Sequence, residues 1–98
     1  MSYKNIYVAD THAWVYYLLD KLPNKVNKIF LQAEKGKAVI YIPIIALAEC
    51  IYLVEKGKVS LSFDELFSKL KVAENFIPVP LTLEIVENLV KHPPIRDS

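Results

Sequence analysis

Hydrophobic and polar positions change period several times along the chain, and each change marks an element. Ile6-Tyr7-Val8-Ala9 is a short apolar run that stops at Asp10, so it reads as a buried strand. From His12 to Leu19 the apolar residues take helical spacing, and Asp20-Lys21-Leu22-Pro23 closes that segment. Asn24 is placed to cap a second helix, with Val26, Ile29, Phe30 and Ala33 on one face and Lys25, Lys28 and Lys35 turned outward; Gly36 ends it. Ala38-Val39-Ile40-Tyr41-Ile42 is a second strand, apolar and β-branched. Pro43 opens a third helix, Ile44 to Glu55, which Gly57 ends. Ser62-Phe63-Asp64-Glu65 has capping-box spacing and predicts a fourth helix running to Val72. Phe76-Ile77-Pro78-Val79-Pro80 is a short third strand whose prolines assign it to a sheet edge. Thr82 is placed to cap a fifth helix, Leu83 to Lys91, and Pro93-Pro94 stops it.

Strands alternating with helices imply parallel pairing and an α/β sandwich. In such sheets ligands bind beyond the carboxyl ends of the strands, and Asp10 falls at that end of the first strand. Taken alone, Asp10 or Thr11 is as readily a plain helix cap as part of a site. Composition narrows the frame around that choice. Ninety-eight residues make one domain, and 53% hydrophobic content makes it a globular one. A net charge of +1 neither announces nucleic-acid binding nor excludes a local basic patch. Cys50 is the only cysteine, so no internal disulfide forms, which suits a reducing, cytoplasmic setting. The first residues, Met1 to Asn5, lead into no long apolar stretch, so no signal peptide is expected. The longest apolar run, Ala38 to Val54, is broken by Pro43 and Glu49, and no membrane span is expected.

Glu49 shifts the balance toward a site. Of the eleven residues from Ile44 to Val54, ten are apolar or aromatic, and the one acid lies in the middle. A helix apolar all round is expected to be buried on most sides. A lone buried carboxylate is costly unless it is paired, hydrogen-bonded or bound to metal. The competing reading is a core Glu paired with a lysine or with Tyr52, but no lysine precedes Lys56 in this helix. Asp97 is a third acid, placed after Pro93-Pro94 at the expected start of another helix. By itself it is ordinary turn and cap chemistry. Three acids brought to one crevice repel one another, and a divalent cation relieves that repulsion. All-oxygen ligation favours Mg²⁺ or Mn²⁺ over Zn²⁺. No Cys/His set with zinc spacing, glycine-rich phosphate loop or Ser-His-Asp arrangement competes, and the chain holds only two glycines.

With these residues in place, the sequence resembles the PIN domain family, and VapC-type toxins in particular. Asp10-Thr11 after an apolar strand looks like the family's opening motif. The stretch IPIIALAECIYLVEKGKV looks like its second motif, with Pro43 before a helix centred on Glu49. PVPLTLEIVENL followed by HPPIRDS resembles the approach to the third motif, where Asp97 fits. The resemblance implies a three-layer α/β/α sandwich with a short parallel sheet. It also implies a metal-dependent endoribonuclease in which Asp10, Glu49 and Asp97 hold Mg²⁺ or Mn²⁺ and hydrolyse RNA phosphodiester bonds. Thr11 would support the acids, and Arg96 is the basic residue nearest to them in sequence for holding the RNA backbone. A VapB-type antitoxin and a homodimer are the protein partners implied.

The family pattern continues past the third acid with a helix, a strand that usually carries a fourth acid, another helix and a last strand, so the resemblance implies a PIN domain incomplete at its C-terminus over residues 1–98. On that expectation the first strand keeps a bare edge, which invites association. A second function class follows: a non-catalytic PIN remnant acting through dimerisation or antitoxin binding. A phosphoacceptor receiver domain also places an Asp after a buried strand, but its acceptor Asp ends a central strand, and the second strand here ends in Ile42-Pro43. His12, Trp14, Cys50 and His92 have plainer readings: helix residues for the first two, with Trp14 and Leu18 in the core, a small buried hydrophobe for Cys50, and a helix C-terminal contact for His92.

Overall fold

The computed structural model describes residues 5–80, 82–91 and 94–95. Its elements run β1 (Asn5–Ala9), α1 (Thr11–Leu18), α2 (Asn24–Glu34), β2 (Ala38–Pro43), α3 (Ile44–Glu55), α4 (Phe63–Val72), β3 (Phe76–Val79), α5 (Leu83–Lys91) and β4 (Pro94–Ile95). The four strands form one sheet in the order β3-β2-β1-β4, with every pairing parallel. This is the α/β sandwich that the alternation of elements predicts. β3 is an edge strand, as its prolines require. Its register on β2 is fixed at the start by Asn75, whose side chain donates to the Ala38 carbonyl at 2.7 Å while its own carbonyl accepts from Ile40 at 2.8 Å.

The expected bare edge beside β1 is not what the chain builds. Pro94 and Ile95 pair with Val8 and Ala9, so β1 lies inside the sheet at its carboxyl end. Only Asn5, Ile6 and Tyr7 lack a pairing on that side among the described residues. Burial is also less even than unbroken apolar strands suggest. Along β2, Ala38, Ile40 and Ile42 are fully buried while Val39 and Tyr41 are half-buried, so one sheet face is packed tightly and the other loosely.

The tight face holds an aromatic cluster. Trp14, Phe30 and Phe76 are buried to within 1% of complete. Tyr17 stacks on Phe30 with ring centres 4.6 Å apart, and Phe76 meets Trp14 edge-on at 5.5 Å. Trp14 Nε1 donates to the Leu66 carbonyl at 3.3 Å, which ties α1 to α4. The Tyr17 hydroxyl donates to Glu34, and burial followed by that carboxylate pushes its pKa upward.

Helix ends follow local rules. α4 begins on a complete capping box between Ser62 and Glu65. Asn24 does not cap α2: it is the first helical residue, behind Pro23, and no side chain caps that end. Helices α1, α2 and α3 each close with paired bonds of the Schellman type. Gly36 and Gly57 take the left-handed position after α2 and α3 at φ +77° and +67°, and Asp20 takes it after α1 at +59°.

Candidate active site

β1 and β2 run side by side in the same direction, and each turns directly into a helix at its carboxyl end. The two turns, Asp10-Thr11 and Pro43-Ile44, therefore open at the same edge of the sheet. Between them lies a cleft of about 130 Å³ whose walls include Asp10, Thr11, Pro43, Ile45, Ala46 and Glu49. Asp10 and Glu49, 39 positions apart in the sequence, thus line one crevice.

Asp10 is half-buried and is the N-cap of α1, with extended backbone geometry, and its Oδ1 accepts from the Ala13 N–H at 2.8 Å. The cap reading of Asp10 holds, and the same residue lines the cleft. Thr11 is not a cap. It is the first helical residue, buried to 6% exposure, and its carbonyl accepts a long bond from the Cys50 thiol at 3.9 Å. That contact joins the first turn of α1 to the middle of α3 beneath the cleft. Burial, and then the neighbouring Glu49 charge, pushes the Cys50 thiol up to about 11, so it is protonated at neutral pH.

Glu49 corrects an expectation. It is exposed, not buried among apolar neighbours. Of α3, only Ala46, Leu47 and Cys50 are buried, whereas Ile44, Ile45 and Tyr52 are about half exposed. The helix is apolar on a face the fold does not cover, and so its composition misstates its burial. Glu49 has no ion-pair partner and no hydrogen-bond partner among the described residues, and no lysine or arginine lines the cleft. Asp97 and Arg96, like His92, lie outside the described residues. Among the described residues no three Asp, Glu, His or Cys side chains stand together closely enough to hold a metal ion.

Two carboxylates in a small crevice with no basic wall offer oxygen donors of negative charge. That chemistry fits a hard divalent cation.

A parallel α/β domain with an acidic cleft at the carboxyl ends of its central strands is the class that fold and site define. The chain belongs to the PIN domain family, whose model matches residues 7–96. PIN domains are in general divalent-metal-dependent nucleases acting on RNA or other nucleic acid. No curated protein and no solved structure matches the chain. Among the described residues no helix is long and apolar enough to cross a membrane.

Proposed function

We propose that this chain is a metal-dependent endoribonuclease of the VapC toxin type, with Asp10 and Glu49, together with Asp97, holding Mg²⁺ or Mn²⁺. The observation that carries the reading is the shared cleft of Asp10 and Glu49, free of any neutralising side chain, at the carboxyl edge of a PIN sheet. A divalent ion bound there supplies activation of water and stabilisation of charge on the phosphate. The chain's own residues provide the frame. The Ala13 N–H fixes the Asp10 carboxylate, and the α1 N-terminus adds a favourable field for negative charge. The Cys50–Thr11 contact holds Glu49's helix against that of Asp10. Thr11 lines the same cleft as the two acids and would support them there.

Partners of this toxin type, a VapB-type antitoxin and a second copy of the chain, are part of the same proposal. Support comes from the uncovered apolar side chains Ile44, Ile45 and Tyr52 on α3 and Leu83, Val86 and Val90 on α5. These side chains also favour the second reading, action by association without catalysis. One experiment separates the two: incubation of a labelled single-stranded RNA with the protein in Mn²⁺ or Mg²⁺, alongside Asp10→Asn and Glu49→Gln. Endonucleolytic products from the parent chain, absent with either variant and with a chelator, are expected. An intact RNA with a folded, associating protein would leave the association reading standing.

A further inference from the structure

A second and larger cavity, of about 470 Å³, continues along the same seam between α1 and α3. Its walls include His12, Tyr16, Lys21 and Lys58 over a floor of Val15 and Leu53. Both cavities draw on α1 and α3: the acidic cleft on Thr11, Ile45, Ala46 and Glu49, and this cavity on His12, Val15, Tyr16 and Leu53. From Asp10 to Tyr16 the axial rise is only about 9 Å, so an extended chain held at one site reaches the other. The two cavities have opposite charge. No Asp or Glu lines the second one. Lys21 and Lys58 have no ion pair or ring contact among the described residues, whereas Lys56 sits over Tyr52 and Lys69 bridges to Glu34. Both free lysines occupy the same local position. Each follows the left-handed residue that ends its helix, and each donates its backbone N–H back into the last turn, Lys21 to Tyr16 at 2.8 Å and Lys58 to Leu53 at 2.9 Å. The helix-end carbonyls are thereby satisfied, and the ammonium groups have no partner there.

We propose that this basic cavity binds a nucleotide of single-stranded RNA next to the phosphate held at the Asp10–Glu49 cleft. The proposal rests on the ribonuclease reading for its choice of ligand. Lys21 and Lys58 neutralise backbone phosphate. Tyr16, half-buried, and the exposed His12 imidazole, in edge contact at 6.4 Å, offer the ring surfaces on which a base stacks. The division of labour is physical: acids alone repel the strand they act on, and a cationic subsite on the same seam holds it in place.

The test is binding of a labelled 12-nucleotide single-stranded RNA by fluorescence anisotropy in a chelator, where no cleavage occurs, across a salt series. Lys21→Gln/Lys58→Gln is expected to weaken binding roughly tenfold and to flatten the log–log salt slope by about 1.4, the single-strand value for two lost phosphate contacts. Tyr16→Leu is expected to weaken binding roughly fivefold or more through lost stacking. Lys25→Gln/Lys28→Gln, the same charge change on α2, controls for overall electrostatics and is expected to weaken binding far less. Equal losses in the two double variants, or no loss in the first at an unchanged Tm, overturn the proposal. So does loss of binding to a poly-glutamate peptide with RNA affinity intact, which assigns the cavity to an acidic protein partner. RNA that binds through this cavity but is never cut in Mn²⁺ sinks the ribonuclease reading and leaves the subsite. Cleavage that persists with RNA affinity unaffected by the lysine changes sinks the subsite and leaves the ribonuclease.

Discussion

Asp10 has two jobs that a pair of substitutions pulls apart. As N-cap it satisfies the Ala13 N–H at 2.8 Å, and under the proposed function its carboxylate, on the wall of the cleft, also supplies charge for a cation. Asp10→Ala removes both. Loss of a capping oxygen costs about 1 kcal/mol, and for a domain of this size that lowers Tm by about 4–8 °C. Asp10→Asn keeps the capping oxygen, since Asn caps as well as Asp, and gives up only the charge at the helix N-terminus, about 0.3–1 kcal/mol at low salt. In a chelator the expected order of stability is therefore parent, then Asn, then Ala. Metal changes the comparison. At free Mn²⁺ about tenfold above its Kd, binding to the folded state adds about 1.4 kcal/mol, and the parent Tm rises by several degrees. Neither variant shows that rise, because both lack the carboxylate. The assay is thermal unfolding followed by circular dichroism in chelator and in a Mn²⁺ series. A metal-dependent rise retained in Asp10→Asn would place the ion elsewhere and refute the site. An Asp10→Ala protein as stable as the parent in chelator would refute the capping contribution.

Other perturbations reach other parts of the chain. Phe76→Ala removes the ring that joins Trp14, Tyr17 and Phe30, and is expected to cost about 3–5 kcal/mol by urea denaturation, enough to leave so small a domain partly unfolded. Gly57→Ala puts a side chain at φ +67° and is expected to cost about 1 kcal/mol, with loss of the tight end of α3. The Cys50 thiol, raised from 9.0 to about 11, binds its proton more tightly folded than unfolded. Its contribution to stability is therefore complete below about pH 9 and is lost as pH rises through about 11; denaturation at graded alkaline pH should show that fall, and Cys50→Ala should lessen it. Light scattering tests association: oligomers are expected for the parent, and Ile45→Glu/Tyr52→Glu on the uncovered face of α3 is expected to reduce them.

Much of this was legible from local sequence. Period changes and punctuation by Gly36, Pro43, Gly57 and the Ser62–Glu65 box placed five helices and three strands to within a residue or two, because those signals act through the backbone nearby. The strand-to-helix junctions at Asp10 and Pro43 also implied at which end of the sheet a cleft opens, since parallel strands must open their turns at one end. Other features depended on what the chain meets in space. The apolar run of α3 did not reveal that Glu49 and Tyr52 stay exposed, since composition records what a face prefers and not whether another element covers it. Two residues, Pro94 and Ile95, close the sheet beside β1, a pairing too short to leave any periodicity in the sequence. The cavity of Tyr16, Lys21 and Lys58 joins Lys58 to positions 37 and 42 residues before it, brought side by side only because α1 and α3 pack along one seam and end in the same kind of turn. Local chemistry in the sequence determined the elements and their caps; contact between distant elements decided which charges are free and which of them share a surface.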